Sequence, residues 1–348
     1  MPTISIAMAT YNGARFLGEQ LDSFMAQEYL PCELVVGDDG SSDETIAILE
    51  AFAVRAPFPV RIQRNLENLG FAANFLATAE RCEGEWVALS DQDDVWLPNK
   101  LARVASEILE RRDPDLVLVA HQVEITDQHL RPLGRRPNWH KWHGMQMLRR
   151  GTANGLWSLG GCAMICHQRL IRGIDWRERT FNENAWRNLG FPADRLVGHD
   201  RWYSLLANAL GSTLLLDEAL GLFRRHDEVT TGQHVTQGLA ASFRVAAATG
   251  PQIYRGDERA ALDAAVSLRR IATSLDKGRG TRLEEGAMDF ERLAKVMARR
   301  ARVQETSGRI RRLAIVISLA LRRGYVGDQF ASAGPRALAK DLFLSVMG

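Results

Sequence analysis

The stretch "LSDQDDVWLP" (residues 89–98) sets three aspartates, Asp91, Asp93 and Asp94, at the end of an apolar run. The run itself, "EWVALSD", has the composition of a buried strand, and four like it occur nearby: "TISIAMAT", "CELVVGDDG", "PVRIQRN" and "DLVLVAH". Between them lie amphipathic segments of helix length, among them "ARFLGEQLDSFMAQ", "SDETIAILEAFAVRA", "FAANFLATAERC" and "NKLARVASEILERR". Continuous apolar strands alternating with such helices indicate βαβ units and a parallel sheet buried on both faces. The expected architecture is α/β and doubly wound, with a ligand beyond the carboxyl ends of the strands. The acids of residues 91–94 fall at such an end.

A second strand ends the same way, "LVVGDDGSSDE", with Asp38 and Asp39. Acids after strands commonly cap the next helix. Here Ser41 to Glu44 matches the S-x-x-E capping box, and Pro98 offers a first-turn residue after Asp94, so neither acidic pair is needed as a cap. Grouped carboxylates repel, and each close pair costs about a few kcal/mol unless a cation or strong donor sits among them. Mg²⁺ or Mn²⁺, held by one or two carboxylates and otherwise by water and phosphate oxygens, removes that cost. A calcium-binding EF-hand is excluded, because "DQDDVWLPNKLA" lacks the glycine at its sixth position and the glutamate at its twelfth.

With 348 residues, 46% hydrophobic and 25% charged, the chain can bury a substantial core in roughly two domains, and a net charge of +2 favours no class of partner. No stretch reaches the roughly 18 apolar residues of a membrane span, and "MPTISIAMATYNG" lacks a basic region followed by an apolar signal core, so a cytoplasmic chain is expected. Four scattered cysteines, Cys32, Cys82, Cys162 and Cys166, fit reduced thiols. From about residue 130 the strand rhythm fades. "GHDRWYSLLANALGS" reads as a helix stopped by Gly211, and "TLLLDEALGLFRRH" as a strand ending in a basic cluster. Beyond about residue 236 the pattern is helical. Residues 295–323 are strongly basic around "LAIVISLAL", which fits either a helix lying on an anionic membrane face or a buried helix with solvated arginine ends.

"ATYNG", "VGDDGSSDET", "NLGFAANF" and "LSDQDDVWLPNKL" occur in an order and spacing that resemble glycosyltransferase family 2, the inverting GT-A enzymes. "SDQDDVW", "GHDRWYSLLANALG" and "LGLFRRHDEVTTG" look more specifically like the bacterial rhamnosyltransferase-type members that extend O-antigen and other cell-surface polysaccharides. The resemblance covers roughly residues 3–232. It implies a Rossmann-like GT-A fold with a mostly parallel sheet and a C-terminal helical extension. Residues 1–115 would be the nucleotide-sugar half, 116–235 the acceptor half and 236–348 the helical region.

The same resemblance implies residue roles. Thr10, Tyr11 and Asn12 would line the nucleotide pocket, Asp39 would bond the base or ribose, and Asp38 would help or only order the loop. Asp91 and Asp93 match the DxD motif, with Asp91 toward the ribose or water shell and Asp93 on Mn²⁺ or Mg²⁺. Asp94 either supports that ligand or caps the turn at Val95 and Trp96. Inversion requires a base on the acceptor hydroxyl, and Asp200 of "VGHDRWY" matches that position, with a helix N-cap as its competing role. His199 stands where the family more often has Glu, and its role stays open. Arg224 and Arg225 could grip the diphosphate, and His226 could reach the metal. Trp139, Trp142 and Trp157 are candidates to stack on an acceptor sugar or to fill core, and the His140/His143 pair lacks a third metal ligand. The implied donor is dTDP-L-rhamnose and the implied acceptor a lipid-linked or cell-surface glycan, with no nucleic acid. Two other readings share the fold: an inactive module that binds glycan or nucleotide, and a nucleotidyltransferase. The latter would carry a Gly- and Lys-rich loop where "TYNGARF" has one Gly and no Lys.

Overall fold

The computed structural model describes residues 1–134, 142–152, 159–179, 197–226, 250–322, 324–325 and 335–347. Trp139, His140 and Trp157 lie outside them. The first half alternates as its pattern requires: β1 (Ile4–Thr10), α1 (Ala14–Met25), β2 (Glu33–Asp38), α2 (Thr45–Arg55), β3 (Val60–Arg64), α3 (Phe71–Glu80), β4 (Trp86–Ser90), the two-residue β5 (Val95–Trp96), α4 (Lys100–Arg111) and β6 (Leu116–Thr126). The second half adds β7 (Gln146–Leu148), β8 (Met164–His167), α5 (His199–Leu210) and β9 (Ser212–Arg224). A helical array completes the chain: α6 (Gln252–Ala272), α7 (Lys277–Glu305), α8 (Arg309–Leu321) and α9 (Pro335–Met347).

Among the described residues the strands form one sheet in the order β3-β2-β1-β4-β8-β6-β9-β5, with β7 on β9. β1 pairs in parallel with both β2 and β4, and β2 with β3, so Thr10, Asp38 and Ser90 end together along one edge. The sheet is mixed beyond this half. β8 enters antiparallel between β4 and β6, and β9 runs parallel to β6. Because one sheet joins both halves, the division near residue 115 marks chain order and not a gap in the core.

The sheet is covered on both faces, which is why its strands read as unbroken apolar runs. Ile4, Ile6 and Met8 of β1 point into one core with Leu17, Leu21 and Phe24 of α1 and Leu101 and Val104 of α4. Ala7 points the other way, into a core shared with Phe75 of α3, Trp202 and Leu206 of α5 and the apolar faces of α6 and α7. α7 packs directly on α5, and thereby ties the C-terminal helices to the sheet domain.

Two local expectations change. Ser41 does not open a capping box. Its hydroxyl donates to Asp38 Oδ2 at 2.5 Å and accepts from the Asn12 amide, while Asp43 takes the Thr45 amide where α2 begins. The basic segment 295–323 is also not one face. Arg300 is buried, with Nε 2.8 Å from Asp341 Oδ2 and an η-nitrogen 3.1 Å from the Tyr254 hydroxyl, and Tyr325 donates to the same carboxylate. This cluster clamps α6, α7 and α9 together. Breaking a buried pair leaves an uncompensated charge, so Arg300→Met should lower unfolding stability by about 3–5 kcal/mol. Arg300→Met/Asp341→Leu should lose less than the two single losses combined, as measured by urea unfolding of all three variants.

Candidate active site

At the carboxyl edge of the parallel strands, the loop after β1 is fixed by side chains from the loops after β2 and β4. Thr10 Oγ1 donates to Asp38 Oδ2 at 2.9 Å, and the Gly40 and Ser41 amides donate to the other oxygen. Asp38, wholly buried, is thus a loop organiser. Asp39 holds the next loop, accepting from Asn65 Nδ2 and the Leu69 and Gly70 amides at 2.8–2.9 Å. Asn12, in the left-handed region at φ 47°, turns its Oδ1 to the Ser42 amide. Tyr11 is exposed. Its backbone is held from both sides by Gln92, whose Oε1 accepts from the Tyr11 amide at 2.9 Å and whose Nε2 donates to the Tyr11 carbonyl at 3.1 Å. The central residue of the DxD stretch therefore fastens the loop of residues 11–13 to the acids.

Those acids converge. One oxygen each of Asp91 and Asp94 and the Cys162 sulfur lie within 4.8 Å of one another. Burial, then Asp93, then Asp200 push Asp91 up to about 7. Asp94 is held well above the carboxylate range by burial and by Asp93 and Asp91. The field of Asp200 thus reaches Asp91, although 109 positions separate them in the sequence. Asp200 lies in the first turn of α5. The N-cap position is Gly198, and Asp200 Oδ1 accepts from the Arg201 amide at 2.8 Å.

Three basic side chains lie around this charge. Lys100, wholly buried, donates to the Cys162 carbonyl at 3.1 Å and lies 3.5 Å over the Trp96 ring. Burial lowers it to about 7 against the pull of Asp94 and Asp91. Arg224 is committed to protein acceptors: Nε to the Asp93 carbonyl, one η-nitrogen to the Gln128 carbonyl and the other to Glu19. Its amide donates to Asp94 Oδ1 at 3.0 Å, which gives Asp94 a task other than capping the turn at Val95. His226 packs on Phe16 and places Nε2 2.8 Å from Asp93 Oδ2. Arg225 is half-buried beside Phe223. Trp142 is core, its Nε1 donating to the Leu216 carbonyl at 3.1 Å.

Residues 5–191 match the model of Glycosyl transferase family 2. The chain belongs to glycosyl transferase family 2. An uncharacterized glycosyltransferase of Nostoc sp. is 36% identical over 127 residues, 36% of this chain and 37% of that one. An uncharacterized protein of Mycobacterium tuberculosis is 33% identical over 233 residues, 64% of this chain and 59% of that one. The chain therefore spans between about a third and three fifths of these relatives. In fold, it is similar to S. aureus TarS 1–349, crystallised with UDP, with a TM-score of 0.52 at 17% identity over 99% of this chain and 89% of that one. The family's GT-A architecture is the one described above, with the helical region appended.

Gln92, Lys100 and Cys162 were not singled out in the sequence as site residues, and neither were Glu19 and Phe16. Gln92 alone had a local signal, its place between two motif acids. His199 is also placed by the fold: buried, stacked on Phe75 with ring centroids 4.1 Å apart, and set so that a Cβ on Gly161 would lie 2.3 Å from its Nε2. Neither ring nitrogen has a hydrogen-bond partner among the described residues. Burial lowers its pKa to about 4. Between pH 6.5 and 4 the unfolded chain binds the proton that folded His199 refuses, so this residue makes stability fall as pH falls, by about 3 kcal/mol across the window. His199→Gln should flatten the acid limb of a plot of unfolding free energy against pH. An unchanged slope from pH 6.5 to 4 would show that His199 does not titrate in this way.

Proposed function

We propose that the protein is a metal-dependent inverting glycosyltransferase that moves a sugar from a nucleoside diphosphate to a glycan hydroxyl. The observation that carries this reading is the convergence of Asp200 on the acids of the DxD stretch, beside the loop pinned by Gln92. The donor sugar is rhamnose from dTDP-L-rhamnose, and the acceptor a lipid-linked or cell-surface glycan. Support for that choice is the likeness of "SDQDDVW" and "GHDRWYSLLANALG" to rhamnosyltransferase-type sequences.

The donor set suits a hard divalent ion. Asp91, Asp93 and Asp94 offer oxygens, while burial holds the Cys162 thiol well above its ordinary pKa and so disfavours a thiolate ligand. Asp93 would hold the Mn²⁺ or Mg²⁺, with His226, whose Nε2 lies 2.8 Å from Asp93 Oδ2, as a further residue beside it. Bound there, the ion would offset the charge that develops on the leaving diphosphate.

The chain's own groups supply the rest. Thr10, Tyr11 and Asn12, held by Asp38, Ser41 and Gln92, form the wall of the nucleotide pocket, and Asp39 with the loop it fixes forms its floor. Asp91 faces the ribose. Arg225 is the arginine available to the diphosphate, whereas Arg224 keeps Asp93 and Asp94 in register. Asp200 takes the proton from the acceptor hydroxyl as its oxygen bonds to the anomeric carbon from the face opposite the breaking bond to the diphosphate.

Purified protein with Mn²⁺ should release dTDP from dTDP-L-rhamnose in preference to UDP- or GDP-sugars. Asp200→Asn should slow transfer to an acceptor by roughly 10²- to 10⁴-fold, the usual worth of a positioned base. Asp93→Ala should raise the Mn²⁺ concentration required for half-maximal rate. Retention of full rate by both variants would remove these residues from the mechanism.

A further inference from the structure

The strongest feature unused by the transfer reaction is the outer face of α8. Ile310, Leu313, Ile317 and Leu321 are 86%, 38%, 49% and 81% exposed, while Val316 and Leu319 on the opposite side are buried. At 100° per residue the four exposed residues fall on one stripe, with Arg309 on one flank and Arg311 and Arg322 on the other. All three arginines are exposed, and none has an acidic partner among the described residues. The sequence of α8, "RIRRLAIVISLAL", contains no acid. Arg312 is excluded from this rim because its Nε donates to the Thr306 carbonyl.

We propose that this face lies in the surface of an anionic lipid bilayer, with the apolar stripe in the acyl boundary and the three arginines at the headgroups. An exposed apolar stripe between basic flanks is the composition of an interfacial helix. α8 has 13 residues, and no helix among the described residues is long and apolar enough to cross a membrane, so the helix lies in the plane. Charge decides against a second copy of the chain as the occupant. A two-fold interface places the same patch on both sides, so arginine rims would face arginine rims, whereas an anionic surface complements them. The membrane segment thus contracts from residues 295–323 to one face of 309–322, since Arg300 is turned into the α6–α7–α9 clamp.

The test is co-sedimentation of the full chain with vesicles of equimolar phosphatidylglycerol and phosphatidylcholine, read without any sugar donor so that its outcome is independent of the transfer reaction. Binding is expected at low salt, weakening by about fivefold for each arginine neutralised in Arg309→Gln and Arg311→Gln and falling with ionic strength. Ile317→Asp should abolish it, and Arg302→Glu, on the exposed side of α7, should leave it intact. Tryptophan emission added by Ile317→Trp should shift to the blue with these vesicles and not with pure phosphatidylcholine. Equal binding to neutral vesicles, or no added emission shift, would overturn the proposal. So would light scattering that shows a dimer dissolved by Ile317→Asp in a protein that ignores vesicles.

Discussion

Everything at the sheet's carboxyl edge depends on how four carboxylates are kept within reach of one another. Asp91, Asp93 and Asp94 arrive on one tight loop, and Asp200 arrives on α5. Burial first, and their mutual repulsion after it, raise Asp91 and Asp94. The fold supplies cations and dipoles in answer. Lys100 is buried under the loop against Trp96, Arg224 fastens the loop's backbone from the end of β9, and His226 meets Asp93. Lys100, buried beside Asp94 and Asp91, offsets part of their charge while burial disfavours its own.

The same contacts tie the two halves of the sheet together. β9 carries Arg224 and His226 to acids that belong to the β4 loop, and β5 pairs with β9 directly after Asp94. The turn at Gly161–Ala163 contacts the site from two sides. Its Cys162 carbonyl holds Lys100, and its Gly161 abuts His199, next to Asp200. A shift of α5 that moved Asp200 would therefore press on the turn that seats the lysine. The glycine at residue 161 is required by this approach, since a side chain there would displace the imidazole.

The rhythm of the first half was legible because strands buried on both faces need no partner to reveal themselves; β1 to β4 and α1 to α4 fall where the apolar runs and amphipathic segments predict. The antiparallel run of β8 was not legible, because "MICH" carries no direction. The acids Asp91, Asp93 and Asp200 were legible as a set only through motif resemblance, and the fold then brought Asp200 to Asp91. The capping box failed because Ser41 had a stronger acceptor in Asp38, a tertiary partner that local spacing does not display. Arg224 was legible as a basic residue able to grip a diphosphate. Its acceptors, Asp93, Gln128 and Glu19, lie 96 to 205 positions away and turn it into a strut.

Lys100 shows the limit most sharply. In sequence it is an ordinary first-turn residue of an amphipathic helix, where a solvated ammonium would be expected. It is buried because α4 starts directly after the acid loop and because the 161–163 turn closes over it, 62 positions downstream. A charge in that place is tolerated only with the Trp96 face, a carbonyl and two carboxylates around it, so its neighbours and the lysine are mutually conditional. Replacing the lysine with an apolar side chain would leave Asp91 and Asp94 facing each other without it, and replacing the acids would strand the ammonium. The first turn of α4 and the loop that reads as the metal motif are in this sense one electrostatic object, which composition and spacing describe only in parts.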